Sequence, residues 1–335
     1  MNQKKMWLIL FLSLIILLPS GCARRAKTPQ AGKARAMDLI QLLPKDCLGV
    51  FAWQVRSTLE TSLARHSLED KETAAKIEDI KNQTGIDLTR DIYLVAGGIV
   101  NLENKEPQPV AMINLRYDQN KLLDFIKQKT SQPMEEITYE KKTIYKLSTG
   151  KEPEAAFTFF DASNIFLGGL DALKKAIDVA EGRAENIHQN NEFKSLLKTT
   201  KTEALSWSTF LLPAEMMTEI AKSKPMLSSL EKLRSLTMSF DYKNKNLIAE
   251  ILARGSDENH HKQLADLLTG MRAMGVMAST NYPEVVEVLN RLEIASTPQQ
   301  VSLSLTLPED ALIKLSDRMK KEIETNLPRL MEKDF

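Results

Sequence analysis

The sequence predicts an α+β fold, an antiparallel sheet with helices packed on one face and two similar lobes. Three patterns carry that expectation. First, Val301, Leu303, Leu305 and Leu307 alternate strictly with Ser302, Ser304 and Thr306, and Leu236, Met238, Phe240 and Tyr242 alternate with Ser235, Thr237, Ser239 and Asp241. Period-two runs of this kind have one apolar and one serine/threonine face, which implies one buried and one wet side. Such strands belong to antiparallel sheets, because parallel strands covered on both faces read as continuous apolar runs. Second, consecutive strands are joined by short polar corners, such as Asp161-Ala162-Ser163 and Lys243-Asn244-Lys245-Asn246. Third, a strand, a corner and an amphipathic helix recur over 110–129, 205–221, 247–268 and 301–320. Residue identity between these copies is low, so the recurrence is one of topology and not of a solenoid. A break at Lys222-Ser223-Lys224-Pro225 divides the body into lobes 37–222 and 223–335.

Taken in order, 38–43 is a helical turn that Pro44-Lys45-Asp46 ends before a strand over 48–55. Helices follow at 58–66 and 71–84, the second burying Ile77 and Ile80 and closing on Gly85 as its C-cap. Strands at 92–100, which contains Gly97-Gly98, and at 110–115 lead to Asp118, the N-cap of a helix over 121–129 with Leu122, Phe125 and Ile126 inward. One hairpin turns at Lys141 within 137–147, and another joins 155–160 to 164–168. The helix over 171–182 has Leu173, Ala176, Ile177 and Ala180 as its stripe and Gly182 as its stop, and a shorter helix spans 191–198. Strands at 205–211, 235–242 and 247–254 come next, with long helices at 261–277, 283–292 and 309–324. Leu307-Pro308-Glu309 ends the last strand and starts the last helix.

The N-terminus is different in kind. Lys4 and Lys5 precede an apolar run from Trp7 to Leu18 broken only by Ser13, and small residues Ser20 and Gly21 follow. That layout is a secretory signal over 1–21. About a dozen apolar residues fall short of the roughly 20 that a spanning helix needs. Ser20-Gly21-Cys22 resembles the lipobox of bacterial lipoproteins, although Pro19 stands where that family usually has leucine. The resemblance implies cleavage before Cys22, a diacylglycerol on its thiol and an acyl group on its amine. A cysteine acylated in this way anchors the chain to a membrane durably. Ala23, in place of the aspartate that retains such proteins in the inner membrane, leans towards the outer membrane of the bacterial cell envelope. Arg24, Arg25, Lys27, Lys33 and Arg35, with Pro29, Ala31 and Gly32, read as a flexible basic tether over 22–36 able to rest on anionic head groups.

Removing 1–21 leaves 43 basic against 44 acidic residues, a formal charge of −1, so the composition offers no basis for nucleic-acid binding. After acylation only Cys47 remains as a thiol, so the body folds without an internal disulfide and Cys47 is expected to be a buried, inert group. The four histidines, His66, His188, His260 and His261, lack metal-ligand spacing. Ser195-x-x-Lys198 and Ser229-x-x-Lys232 lack the companion motifs of penicillin-binding enzymes, and Gly150-Lys151 lacks the rest of a P-loop. Asp87, Asp91 and Glu135-Glu136 are not marked as facing pairs. Together these point to no enzyme, no metal and no cofactor. Leu264, Leu267, Leu268, Met271 and Met274 form a helical stripe, with Met216, Met217 and Met226 earlier. Core filling is the plain reading of that stripe; the sharper one makes Met271 and Met274 contacts for an apolar ligand.

From about residue 38 the body resembles a family of uncharacterised bacterial envelope proteins. The resemblance rests on Leu43-Pro44-Lys45-Asp46, Gly85-Ile86-Asp87-Leu88 with Asp91, Phe166-Leu167-Gly168-Gly169 and Asn191-Glu192-Phe193. It brings no activity. The expectation is therefore a non-enzymatic, lipid-anchored envelope protein that binds or scaffolds another envelope component. The alternative is a carrier of an apolar ligand or lipid, and a hydrolase without a recognisable motif ranks third.

Overall fold

The computed structural model describes residues 28–130, 134–147, 154–223 and 230–318, so Cys22, Met226 and Ser229 lie outside the described residues. The chain runs α1 (Ala36–Ile40), β1 (Cys47–Trp53), α2 (Val55–Leu59), α3 (Ser62–Leu68), α4 (Lys71–Thr84), β2 (Ile92–Leu102) and β3 (Lys105–Leu115). Then come α5 (Gln119–Lys129), β4 (Glu135–Tyr139), β5 (Lys142–Leu147), β6 (Ala155–Asp161), β7 (Asn164–Gly169), α6 (Leu170–Ala180) and α7 (Asn191–Thr199). The second half holds β8 (Ser206–Leu211), α8 (Ala214–Ser223), β9 (Leu233–Lys243) and β10 (Asn246–Gly255). It ends with α9 (Glu258–Ala278), α10 (Pro283–Arg291), β11 (Glu293–Ser296), β12 (Val301–Pro308) and a helix α11 over 309–318.

Among the described residues the strands form one twelve-stranded sheet in the order β11-β12-β10-β9-β8-β1-β2-β3-β7-β6-β5-β4. Every neighbouring pair is antiparallel. The α+β class expected from the alternating strands is the observed one. The hydrogen-bonded ladder does not stop where the sequence suggested a boundary, because β8 pairs with β1 on one side and β9 on the other. The two halves are instead distinguished by their cores. Val50, Ala52, Val110, Met112, Phe166 and Trp207 point to one side and pack with Leu39, Leu173, Ile177, Phe193 and Leu197 of α1, α6 and α7. Ala253, Val301, Leu236 and Leu303 point to the other side and pack with Leu264 and Ala265 of α9. Register proves the exchange: Trp207 lies opposite Ser239, so Leu236 and Met238 face away from it. Each half carries its main helical cover on one face, but the two halves use opposite faces.

That exchange reverses one expectation. Ser235, Thr237 and Ser239 form the buried face of β9, with the Thr209 and Thr237 hydroxyls 2.8 Å apart, while Phe240 on the apolar side stays open. Period two assigned the residues to faces; tertiary packing decided which face is covered.

Local rules account for most element ends. Asp118 accepts from the Asn120 and Lys121 amides at 3.0 and 3.1 Å at the start of α5. Gly85 ends α4 at φ 75°, where a side chain would be strained. Glu140 and Lys141 both have positive φ in the β4–β5 turn, the geometry a two-residue hairpin requires. The helix expected over 58–66 is two helices, because the Thr61 side chain accepts from the Ala64 amide and caps a new start. Strand β3 begins five residues before the expected 110, at Lys105, despite Pro107 and Pro109. Both prolines precede the first β3–β7 pair, Val110 with Gly168, so neither interrupts that ladder.

Candidate functional site

On the side of the first half away from α6, β3, β5, β6 and β7 and the helix α5 enclose a groove of about 540 Å³. Its fifteen lining residues are all apolar or glycine. Ile113 and Leu115 of β3, Ile165 and Leu167 of β7 and Phe157 and Phe159 of β6 form the floor, and Leu122 and Ile126 of α5 form the wall. The volume falls within the roughly 300–1,000 Å³ of ligand pockets.

Alternation along the strands places these residues. On β3, Val110 and Met112 are buried towards α6, so Ile113 and Leu115 face the groove. Rings line one end of it: Tyr117 stacks on Phe159 at 5.6 Å between centroids, and Phe157 meets Phe159 edge-on at the same distance. The Tyr117 hydroxyl donates to the Asp161 carbonyl, and burial pushes this phenol up to about 12, so it remains neutral. At the other end, a Cβ on Gly168 would sit 2.2 Å from the Pro109 carbonyl oxygen, so only glycine fits. Among the described residues the groove thus presents neither charge nor a side-chain hydrogen-bond donor. Hydrocarbon suits it; a polar head group does not.

The groove continues onto an open apolar sheet face. Ile165, Ile113, Val95 and Trp53 are successive cross-strand partners, followed by Ser206 and Phe240. Trp53 is 42% and Phe240 40% exposed. In the neighbouring rows the Phe51 ring lies against Gly97 and the Phe210 ring against Gly49, where a Cβ would meet those rings at 2.7 and 2.1 Å. The two glycines let aromatic rings lie flat on the sheet. Exposed apolar faces of this continuity mark interaction surfaces.

The residues singled out by sequence are dispersed. Met271 and Met274 lie on α9, 50% and 63% exposed, and neither lines the groove. The stripe's inner members Leu264, Leu267 and Leu268 pack on the second core. Cys47 is buried, and desolvation pushes its thiol up to about 12, consistent with an inert group. His260 and His261 are buried at the start of α9, where His261 Nε2 accepts from the Gly255 amide at 2.8 Å. Burial, then Lys194, lowers the pKa of His188. Asp87 accepts from Thr89, and Asp91 Oδ2 accepts from the Asp87 amide, so these carboxylates hold a turn. Among the described residues no group of three or more His, Cys, Asp or Glu side chains could hold a metal ion. A more polar cleft of about 300 Å³ lies between 32–37 and Gln54, Arg56, Tyr93 and Glu203. The groove escaped attention in the sequence although one signal for it exists. Phe157, Phe159 and Phe160, and Ile165, Phe166 and Leu167, put apolar side chains on both faces of their strands, which implies cover on both sides.

A family model described as protein of unknown function (DUF3352) matches residues 73–269, more than half of the chain. The chain belongs to that family. The match contains every strand of the groove and the whole of α5. No curated protein matches the sequence. Among solved structures, TP0453 is similar in crystal form III at 10% identity and a TM-score of 0.47, covering 82% of this chain and 95% of that one. Its crystal form IV gives a TM-score of 0.44 at 10% identity over 88% of this chain and 99% of that one. No helix among the described residues is long and apolar enough to cross a membrane.

Proposed function

We propose that this is a non-catalytic envelope lipoprotein, anchored through an acylated Cys22, whose body binds an apolar ligand of the acyl-chain class between α5 and the sheet. The observation that carries the reading is the 540 Å³ groove with its wholly apolar lining. Each methylene moved from water into such a lining contributes about 0.8 kcal/mol, and among the described residues no lining group recognises a particular head. Specificity then comes from the width between Leu122, Ile126 and the sheet floor. Helix α5 suits an adjustable wall, since none of its residues is fully buried. This replaces Met271 and Met274 as the ligand contacts with Ile113, Ile126, Ile165 and Leu167.

The test uses residues 28–335, free of the anchor, with a fluorescent fatty acid and native mass spectrometry. The wild-type body retains the probe and shows an adduct of hydrocarbon mass. Leu167→Glu, which places a carboxylate at a half-open position of the floor, weakens binding at least tenfold and leaves the thermal midpoint nearly unchanged. Equal binding by both, or binding by neither, overturns the proposal.

A further inference from the structure

The tether expected over 22–36 is not free along its length. From Thr28 onward it is held against the end of β3 and β7. The fully buried amides of Asn114 and Asn164, opposite each other in the sheet and joined by a 2.9 Å hydrogen bond, receive it. Asn164 Nδ2 donates to the Pro29 carbonyl at 2.9 Å, Asn114 Nδ2 lies 3.3 Å from the same oxygen, and the Gly32 amide donates to Asn114 Oδ1 at 3.1 Å. The Thr28 hydroxyl donates to Asp161, whose Oδ1 also holds Asn164 Nδ2 at 2.9 Å. Gly32, at φ 74°, packs so closely on Tyr93 that a Cβ would stand 2.9 Å from the ring. Besides bonding each other and Ser163 and Asp161, both buried amides bond one strip of backbone, and without that strip Asn114 Oδ1 would lose the Gly32 amide, which makes a specific clamp.

The clamp and the groove share one end of the sheet. Asn114 faces one side of β3 while Ile113 and Leu115 face the groove on the other, and Asp161 accepts Thr28 through its side chain and Tyr117 through its carbonyl. The row bearing Ile165, Ile113, Trp53 and Phe240 lies one residue in from the clamp. Six residues, Cys22 to Lys27, separate the lipid from Thr28, and three of them, Arg24, Arg25 and Lys27, are basic. At about 3.5 Å per residue they reach roughly 20 Å at most.

We infer that the Asn114–Asn164–Asp161 clamp turns the tether into a short leash that holds the groove end of the sheet at the bilayer, so that the groove takes an acyl chain from the leaflet that carries the anchor. This rests on the acylated anchor and the chain-binding groove proposed above. Positively charged residues in the leash favour anionic head groups, and an exposed tryptophan in the adjacent row suits the interfacial zone.

The test uses the full chain acylated at Cys22, in vesicles of phosphatidylethanolamine and phosphatidylglycerol carrying a pyrene-labelled fatty acid, with quenching of tryptophan fluorescence reporting uptake. A twelve-residue Gly/Ser insertion between Lys27 and Thr28 lengthens the leash threefold without touching the body. Effective concentration falls as about the −3/2 power of linker length, so uptake slows roughly fivefold. Asn114→Ala with Asn164→Ala, which frees the strip up to Gly32 and Lys33, slows it roughly threefold by the same scaling, and circular dichroism checks that this variant folds. An unchanged rate on insertion overturns the leash while leaving the groove intact. Failure of the anchor-free body to bind the probe overturns the groove reading, and an intact mass without acyl groups overturns the anchor. The three failures are distinguishable.

Discussion

Helices α5 and α6 are each eleven residues long and lie against opposite faces of the same strands, yet one seals a core and the other leaves a groove. Helix α6 buries six residues, among them Ala172, Ala176 and Ala180 at every fourth position. A methyl at each turn lets the backbone settle close to the sheet, and Leu173 and Ile177 fill the space on either side. Helix α5 turns Leu122 and Ile126 to the groove and has no alanine, and neither side chain becomes fully buried. It packs on α4 and stands off the sheet. Side-chain volume on the inner stripe, set against a floor already crowded by Phe157 and Phe159, separates the closed face from the open one.

The contrast is open to direct attack. Leu173→Ala in α6 removes a fully buried side chain and is expected to cost about 2–5 kcal/mol in urea unfolding. Ile126→Ala in α5 is expected to cost less than about 1 kcal/mol, because its side is partly open, while weakening fatty-acid binding severalfold. Equal losses of stability would mean that both faces are packed cores, and the comparison would break. Gly168→Ala is next in size. Its Cβ cannot avoid the Pro109 carbonyl, so it should destabilise by more than about 1 kcal/mol and distort the end of the groove away from Tyr117. Asp118→Ala removes the α5 cap and should cost about 1 kcal/mol, with weaker probe binding because the wall frays. Helix α6 has no side chain at its own N-cap, Gly169; its first free amides, those of Asp171 and Ala172, donate instead to Gln108 Oε1 at 3.2 and 3.3 Å.

The smallest effect belongs to the second half of the sheet. The Ser256 hydroxyl, followed by the His260 amide, holds the Asp257 carboxyl down to about 2 at the start of α9. A carboxylate lowered in the folded state adds stability that is present above its ordinary range near 3.8 and is lost as pH falls through about 2. Asp257→Asn should flatten the acid limb of the thermal-midpoint profile, a few degrees at most, while fatty-acid binding stays unchanged. A change in binding would join the two halves that the opposed cores separate.

Much of this molecule can be read locally. Asp118, Gly85 and the Lys141 turn sit where their backbone preferences place them, and α4 begins and ends at the expected 71 and 84. The strand–corner–helix units appear as β3–α5, β8–α8, β10–α9 and β12–α11. Other features escaped because no local signal decides them. Strand β11 has only four residues and is defined by its pairing with β12. Residues 28–35 carry no apolar period, yet Asn114 and Asn164, far away in sequence, hold them by their backbone. For the groove, the two-faced apolar strands at 155–160 and 164–168 announced cover on both sides, but not which helix would supply it or how closely.

Sequence by itself determined the antiparallel α+β class, the helix caps, the division of each strand into two faces and the burial of Cys47. These follow from short-range rules, in which a side chain competes only with its own backbone and its nearest neighbours. Tertiary structure alone decided that the strands join into one sheet, that the two halves bury opposite faces, and that the serine/threonine face of β9 is the covered one. It also decided that α5 stands clear of the floor it faces. Those outcomes depend on which distant surfaces meet and how closely their side chains let them approach, and the free energy of such contacts resides in neither partner alone.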